Sequence, residues 1–152
     1  MRVSAKVDYA VRALVELAAA EGRGPVKGDV IAAAQGIPLK FTENILSDLR
    51  RAGVVGSQRG AVGGYWLKVP AGSVTVADVI RHVEGPLADV RGEPPEEVVY
   101  EGAAAALQDV WIATRATLRD VLEGVTIADI ARGDLPDVVR RRATGPDARS
   151  RR

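Results

Sequence analysis

Apolar residues recur at three- and four-residue spacing over residues 4–21, where Val7, Val11, Leu14, Val15 and Ala18 mark one helical face. Ser4 stands where a helix N-cap belongs, and Gly22 with Gly24-Pro25 closes the segment. The pattern predicts a second, short helix over 27–35 with Val30, Ile31 and Ala34 inward, then a turn at Gly36-Ile37-Pro38. A third helix over 39–52 buries Ile45, Leu46 and Leu49 and is capped by Gly53. Residues 54–58 and 65–69 read as two strands joined by a Gly-rich link. A short helix over 76–83 carries Val76, Val79, Ile80 and Val83 and breaks at Glu84-Gly85-Pro86. Over 87–101, Pro94-Pro95 lies among Glu93, Glu96, Glu97 and Glu101, which predicts a linker without a packed core. The longest helix is predicted over 103–123, with Leu107, Val110, Trp111, Thr114, Leu118, Val121 and Leu122 in one stripe of near-heptad spacing. Residues 125–131 read as a closing turn. From Pro136 the chain becomes polar and Arg-rich, which predicts an unstructured tail.

This order predicts a mainly α fold: a winged helix-turn-helix domain with a two-stranded β wing, plus a long C-terminal dimerisation helix. The expected boundaries are 1–86 for the DNA-binding domain, 87–102 for the acidic linker, 103–135 for the dimerisation helix and closing turn, and 136–152 for the flexible tail. The small side chain of Ala32 lets helices two and three cross closely, Gly36 can take the positive φ of the turn, and Pro38 stops helix two. Recognition helices set their N-terminal residues against base edges, which here are Leu39, Lys40, Phe41, Thr42, Glu43 and Asn44. Lys40 suits guanine or a phosphate, Asn44 adenine, Glu43 the amino group of cytosine, and Thr42 a thymine methyl. Arg59 at the hairpin tip, followed by Gly60, Gly63 and Gly64, suits a narrow minor groove and close approach to a phosphate chain.

Charge sharpens this picture. Residues 1–68 hold ten Lys/Arg against six Asp/Glu, residues 69–136 five against twelve, and residues 137–152 six against two, within a net charge of only +1. A basic front and an acidic back point to two different partners. With 47% hydrophobic but 4% aromatic residues, the core is built from Val, Leu, Ile and Ala. No apolar run approaches the roughly 18–20 residues of a membrane span, so a cytoplasmic protein without a membrane partner is expected. The absence of cysteine rules out disulfides, zinc–cysteine sites and thiol chemistry, and His82, the one histidine, makes no metal site alone. Nothing suggests an enzyme: residues 60–64 are not a phosphate-binding loop, because Lys-Ser/Thr does not follow.

The chain resembles the IscR/NsrR/CymR-type winged helix-turn-helix regulators over nearly its whole length. The residues that carry the resemblance are Ser4-Ala5-Lys6-Val7-Asp8-Tyr9-Ala10, Leu49-Arg50-Arg51-Ala52-Gly53-Val54-Val55 and the wing Arg59-Gly60-Ala61-Val62-Gly63-Gly64-Tyr65, then Asp78-Val79-Ile80 and Val83-Glu84-Gly85-Pro86. It implies a homodimer whose long helices cross, binding a palindromic operator and acting as a repressor. Lys6, Tyr9, Arg50 and Ser57 join the expected DNA-facing set with it. Two departures stand out. Phe41-Thr42 replaces the family's Tyr-Leu, and Glu93 to Glu101 occupies the place of three clustered cysteines. Cluster ligation needs thiolates or close imidazoles, so no cofactor is expected. The wing and the Gly-Pro break are most like the cluster-free branch typified by CymR. That likeness implies cysteine-metabolism repression through a complex with O-acetylserine sulfhydrylase, although no residue here identifies the partner. An effector protein or small molecule at the acidic linker is a further expectation. The alternative is a regulatory subunit with the same fold, working through its acidic half without touching DNA.

Overall fold

Ser4 does cap the first helix: its hydroxyl oxygen accepts from the Val7 amide at 3.1 Å and starts α1 (Ala5–Ala19). The computed structural model describes residues 2–150. Within it α1 is the central strut, packed by α2 (Gly28–Gln35), α3 (Leu39–Arg51), α4 (Val76–Val83) and α6 (Ile127–Arg132). It therefore buries more than the predicted stripe. Val7, Ala10, Ala13, Leu14 and Leu17 are the buried residues, while Val11, Val15 and Ala18 are only half-buried. Ala10 and Ala13 are small enough to let neighbouring helices approach.

In α2 the buried pair is Ile31 and Ala32, whereas Val30 is 54% exposed and Ala34 is also outside. A two-turn helix wedged between α1 and α3 has one narrow inner edge, and Val30 and Ala34 fall beyond it. Gly36 takes φ +61, and the Ile37 amide then donates to the Ala32 carbonyl at 2.9 Å, turning Ile37 into the core. Helix α3 buries Thr42, Ile45, Leu46 and Leu49 and ends as Gly53, at φ +79, lets Val54 donate back to Leu49.

Strands β1 (Val55–Gln58) and β2 (Gly64–Leu67) pair antiparallel with Ser57 opposite Tyr65. Val26 adds a one-residue third rung, exchanging both backbone hydrogen bonds with Tyr65. Its approach explains Gly64, where a Cβ would lie 2.6 Å from the Val26 oxygen.

The segment 125–132, assigned to the dimer arm from its position in the sequence, packs instead in the head. Ile127 has no exposed surface and joins Leu14, Val74 and Val79 in one core. The reason is visible in the residues. Val74-Thr75-Val76-Ala77-Asp78-Val79-Ile80-Arg81 and Val125-Thr126-Ile127-Ala128-Asp129-Ile130-Ala131-Arg132 are near copies. Each folds as a capping box opening a helix, with Thr75 and Asp78 matched by Thr126 and Asp129. The copies meet in an antiparallel bridge: Val76 donates to Val125 and Ile127 to Val74, both at 2.9 Å.

Between the copies the chain leaves the head and returns. The predicted linker is ordered by α5 (Leu107–Leu122): Pro95 and Val98 are buried, and Gln108 Nε2 donates to the carbonyls of Glu96 at 3.0 Å and Val98 at 2.9 Å. The long helix is one turn shorter than predicted, because residues 102–104 form a 3-10 turn. The expected tail folds in part as α7 (Asp137–Ala143), begun by Pro136. Asp137 in its first turn and Arg140, Arg141 and Arg142 in its last suit the helix dipole, which offsets the polar composition. Residues 151 and 152 of that tail lie outside the described residues.

Candidate nucleic-acid interface

The buried face of α3 fixes its outer one. With Thr42, Ile45, Leu46 and Leu49 inside, Lys40, Glu43 and Asn44 are exposed, and Ser47 and Arg51 continue the same face one and two turns on. Thirteen residues give a rod of about 20 Å, and its N-terminus begins at the turn after α2. Phe41 is 53% exposed and meets Tyr9 of α1 edge to face, ring centroids 6.2 Å apart. The Arg12 guanidinium lies 5.6 Å from the Tyr9 centroid, and its Nε donates to Gln35 Oε1 at 3.0 Å. Arg12 also donates to the Gln35 carbonyl and so ties α1 to the last residue of α2. Sequence reasoning missed Arg12; an arginine one turn after Tyr9 was the available signal.

Thr42 corrects an expectation. It is 1% exposed, and its hydroxyl donates to the Pro38 carbonyl at 3.3 Å. It props the start of α3 from inside and does not face a thymine. Lys6 lies beside the reading face but is engaged: its Nζ is 2.9 Å from Asp48 Oδ2, and Arg51 holds the other carboxylate oxygen. The Lys6 hydrogen bond is the chief reason the Asp48 carboxyl sits below its ordinary range, against partial burial. Lys6, Phe41, Asn44 and Ser47 together line a shallow groove beside α3.

The wing is joined to this surface. Arg50 Nη1 donates to Ser57 Oγ at 3.2 Å, linking the end of α3 to β1. Arg59 and Gly60 are exposed at the head of the loop, Gly60 with φ +106, and Val62 is 81% exposed beside them. The loop is tight, since a Cβ on Gly63 would lie 2.1 Å from the Gln58 oxygen. The structure thus brings Lys40, Phe41, Glu43, Asn44, Arg50, Ser57, Arg59 and Gly60 to accessible positions on consecutive elements, with Tyr9 behind Phe41.

The predicted dimer stripe divides. Val110 is 52% and Trp111 37% exposed, and Thr114 is exposed, whereas Leu107, Leu118, Val121 and Leu122 are half-buried. Ala113 and Thr117 stand exposed with Val110, and the hydroxyls of Thr114 and Thr117 donate within the helix to Val110 and Ala113. Among the described residues, no three His, Cys, Asp or Glu gather as a metal site, and no helix is long and apolar enough to cross a membrane.

A short helix, a tight turn, an outward-facing second helix and a wing with arginine at its tip define a winged helix-turn-helix DNA-binding protein. Comparison with known proteins narrows this. The Rrf2 family model, described as iron-dependent transcriptional regulators, matches residues 3–133. A Mycobacterium tuberculosis (strain H37Rv) relative, named for a helix-turn-helix-type transcriptional regulator, is 50% identical over 139 residues, covering 91% of this chain and 86% of its own. The HTH-type transcriptional regulator CymR of Bacillus subtilis is 35% identical over 131 residues, covering 86% and 90%. Among solved structures, B. subtilis CymR, called a global cysteine regulator, gives a TM-score of 0.75 at 34% identity over 88% of this chain and 98% of that one. T. potens IscR gives 0.71 at 32% identity over 88% of each. The chain belongs to the Rrf2 family of transcriptional regulators. It is a DNA-binding regulator and not an enzyme.

Proposed function

We propose that the protein is a homodimeric repressor that reads a palindromic operator with α3 and the wing and carries no iron–sulfur cluster. The observation that carries the DNA-reading half is the Arg50–Ser57 hydrogen bond, which makes the recognition helix and the wing one surface. On it Lys40, Glu43 and Asn44 contact base edges, Arg50 and Lys6 approach phosphates, and Arg59 enters the minor groove. Phe41, braced by Tyr9, offers an apolar ring to a thymine methyl in the place first given to Thr42.

The dimer reading rests on α5. A helix exposing Val110, Trp111, Ala113, Thr114 and Thr117 leaves an apolar strip without a cover in its own chain. Its small residues permit close crossing by a second α5, and its threonine hydroxyls already have partners. Two copies then present two α3 helices to half-sites about 34 Å apart, or a multiple of that spacing.

The family description implies iron, and the donors present do not fit a thiolate-bound cluster. The sequence has no cysteine, and the 93–101 segment supplies carboxylates with Pro95 and Val98 buried beneath them. The direct test is anisotropy with labelled genomic fragments. Tight, salt-sensitive binding to an inverted repeat is expected, weakened by about 1–3 kcal/mol in Arg59→Ala. Salt-insensitive or absent binding refutes the reading. Val110→Glu should give a monomer by sedimentation, and reconstitution with iron and sulfide should give no visible charge-transfer absorption.

A further inference from the structure

The joint between the head and α5 holds a cleft, open to solvent on one side, of about 280 Å³. That is just below the ~300–1,000 Å³ of most small-ligand sites, and suits a molecule of a few heavy atoms. Leu87 and Pro94 form its apolar wall, and Arg81, Arg115 and Arg119 bring three guanidinium groups to it. The loop side turns at Arg91, φ +57, and Gly92, φ +86, and is closed by reciprocal hydrogen bonds between Val90 and Glu93. Asp89, on the same wall, is occupied by the Gly92 amide at 3.0 Å.

The arginines are held unequally. Glu123 serves both Arg81 and Arg119, with Arg81 also 3.2 Å from Asp78. Arg115 is 23% exposed and is paired at 2.5 Å with Glu96, which is 53% exposed. A half-buried guanidinium therefore faces the cleft, matched by a carboxylate that leans in from solvent on the loop. Exchanging that carboxylate for one carried by a ligand keeps the Arg115 guanidinium matched and releases the exposed Glu96 to water at little cost.

We propose that this cleft binds a small molecule bearing a carboxylate, with Arg115 as its anchor and Glu96 as the internal competitor that it displaces. Because Arg115–Glu96 and Gln108 hold α5 to the 95–98 loop, and Arg81–Glu123 holds the end of α5 to the head, occupancy acts on the angle between α5 and the head. Its effect on operator binding rests on the dimer reading above; the binding itself does not.

The test is titration calorimetry of the full chain with succinate, glutarate and citrate, and with inorganic phosphate, at ionic strength matched by sodium chloride. At least one carboxylate should bind saturably. Glu96→Gln should tighten it several-fold, and Arg115→Gln should weaken it by at least about tenfold. Should Arg115→Gln lose its helical circular dichroism, Arg119→Gln is the second variant, with the same direction expected. No saturable carboxylate binding to wild type or Glu96→Gln overturns the proposal, as does phosphate binding without carboxylate binding, or equal affinity in the folded arginine variants. Operator binding is measured separately. A protein that shifts DNA but takes no carboxylate refutes this site alone, and the converse refutes the DNA reading alone.

Discussion

Ile127→Ala should unfold the DNA-binding head more readily, although the residue follows α5 in sequence. Its side chain is fully enclosed, and its amide is bonded to the Val74 carbonyl at 2.9 Å. The substitution removes three carbons, worth about 2.4 kcal/mol of transfer at ~0.8 kcal/mol each. A residual cavity term raises the expected loss to about 3–4 kcal/mol, inside the range of such truncations. Against a total of about 5–15 kcal/mol this is a large fraction. The assay is urea unfolding followed by tryptophan fluorescence, from Trp66 on the wing and Trp111 on α5, at one fixed protein concentration because any self-association adds stability by mass action. With a slope of about 2 kcal/mol per molar urea, the midpoint should fall by roughly 1.5–2 M. Ile112→Ala on α5 is the control, since that side chain is only half-buried and should cost less. A loss below about 1 kcal/mol, or one no greater than that of Ile112→Ala, refutes the placement of residues 125–132 in the head.

Gly56→Ala should disturb the wing locally, because a Cβ there would lie 2.5 Å from the Trp66 ring. The expected result is a shifted tryptophan emission with about 1–3 kcal/mol lost, and an unchanged spectrum would count against the packing. Thr42→Val should cost about 0.5–1.5 kcal/mol by removing the bond to Pro38, while base preference stays the same; altered preference in a binding-site selection would restore Thr42 as a contact. Acid should weaken the head through its capping boxes. Asp129 is held below its ordinary pKa by the Thr126 hydroxyl and amide, and Asp78, against burial, by those of Thr75. Groups that bind protons less well when folded add stability above their unfolded pKa of 3.8 and lose it as the pH falls further, so melting temperature should drop below about pH 4. Asp78→Asn should remove part of that slope, and a parallel pH profile would exclude the capping carboxylate as its source.

The helix-turn-helix and wing were legible because their signals are local. Ser4, Gly36 and Gly53 each act within a few residues, and the 39–52 helix has an unambiguous polar face. The α2 face was misjudged at Val30 and Ala34 because a two-turn helix offers too few positions to define a stripe. Thr42 was misread because a hydroxyl can satisfy itself on its own backbone and then pack as a small apolar group. On α5 the near-heptad stripe mixed two seams, one covered by the chain's own loop and one left open, which differ in rotation but not in hydropathy. The return of residues 125–132 to the head was encoded in plain view, as a second Val-Thr-x-Ala-Asp, and required comparing distant segments and not reading in order.

That duplicated unit has an architectural consequence. The Thr75–Thr126 bridge and the Arg81–Glu123 contact clamp the departure and the return of the excursion side by side. The excursion is therefore a handle riveted at both ends and not a cantilever hanging from one. A cassette with such neighbouring feet can be excised and its stumps joined by a short loop. The remaining body would keep its fold, ready to receive a different handle.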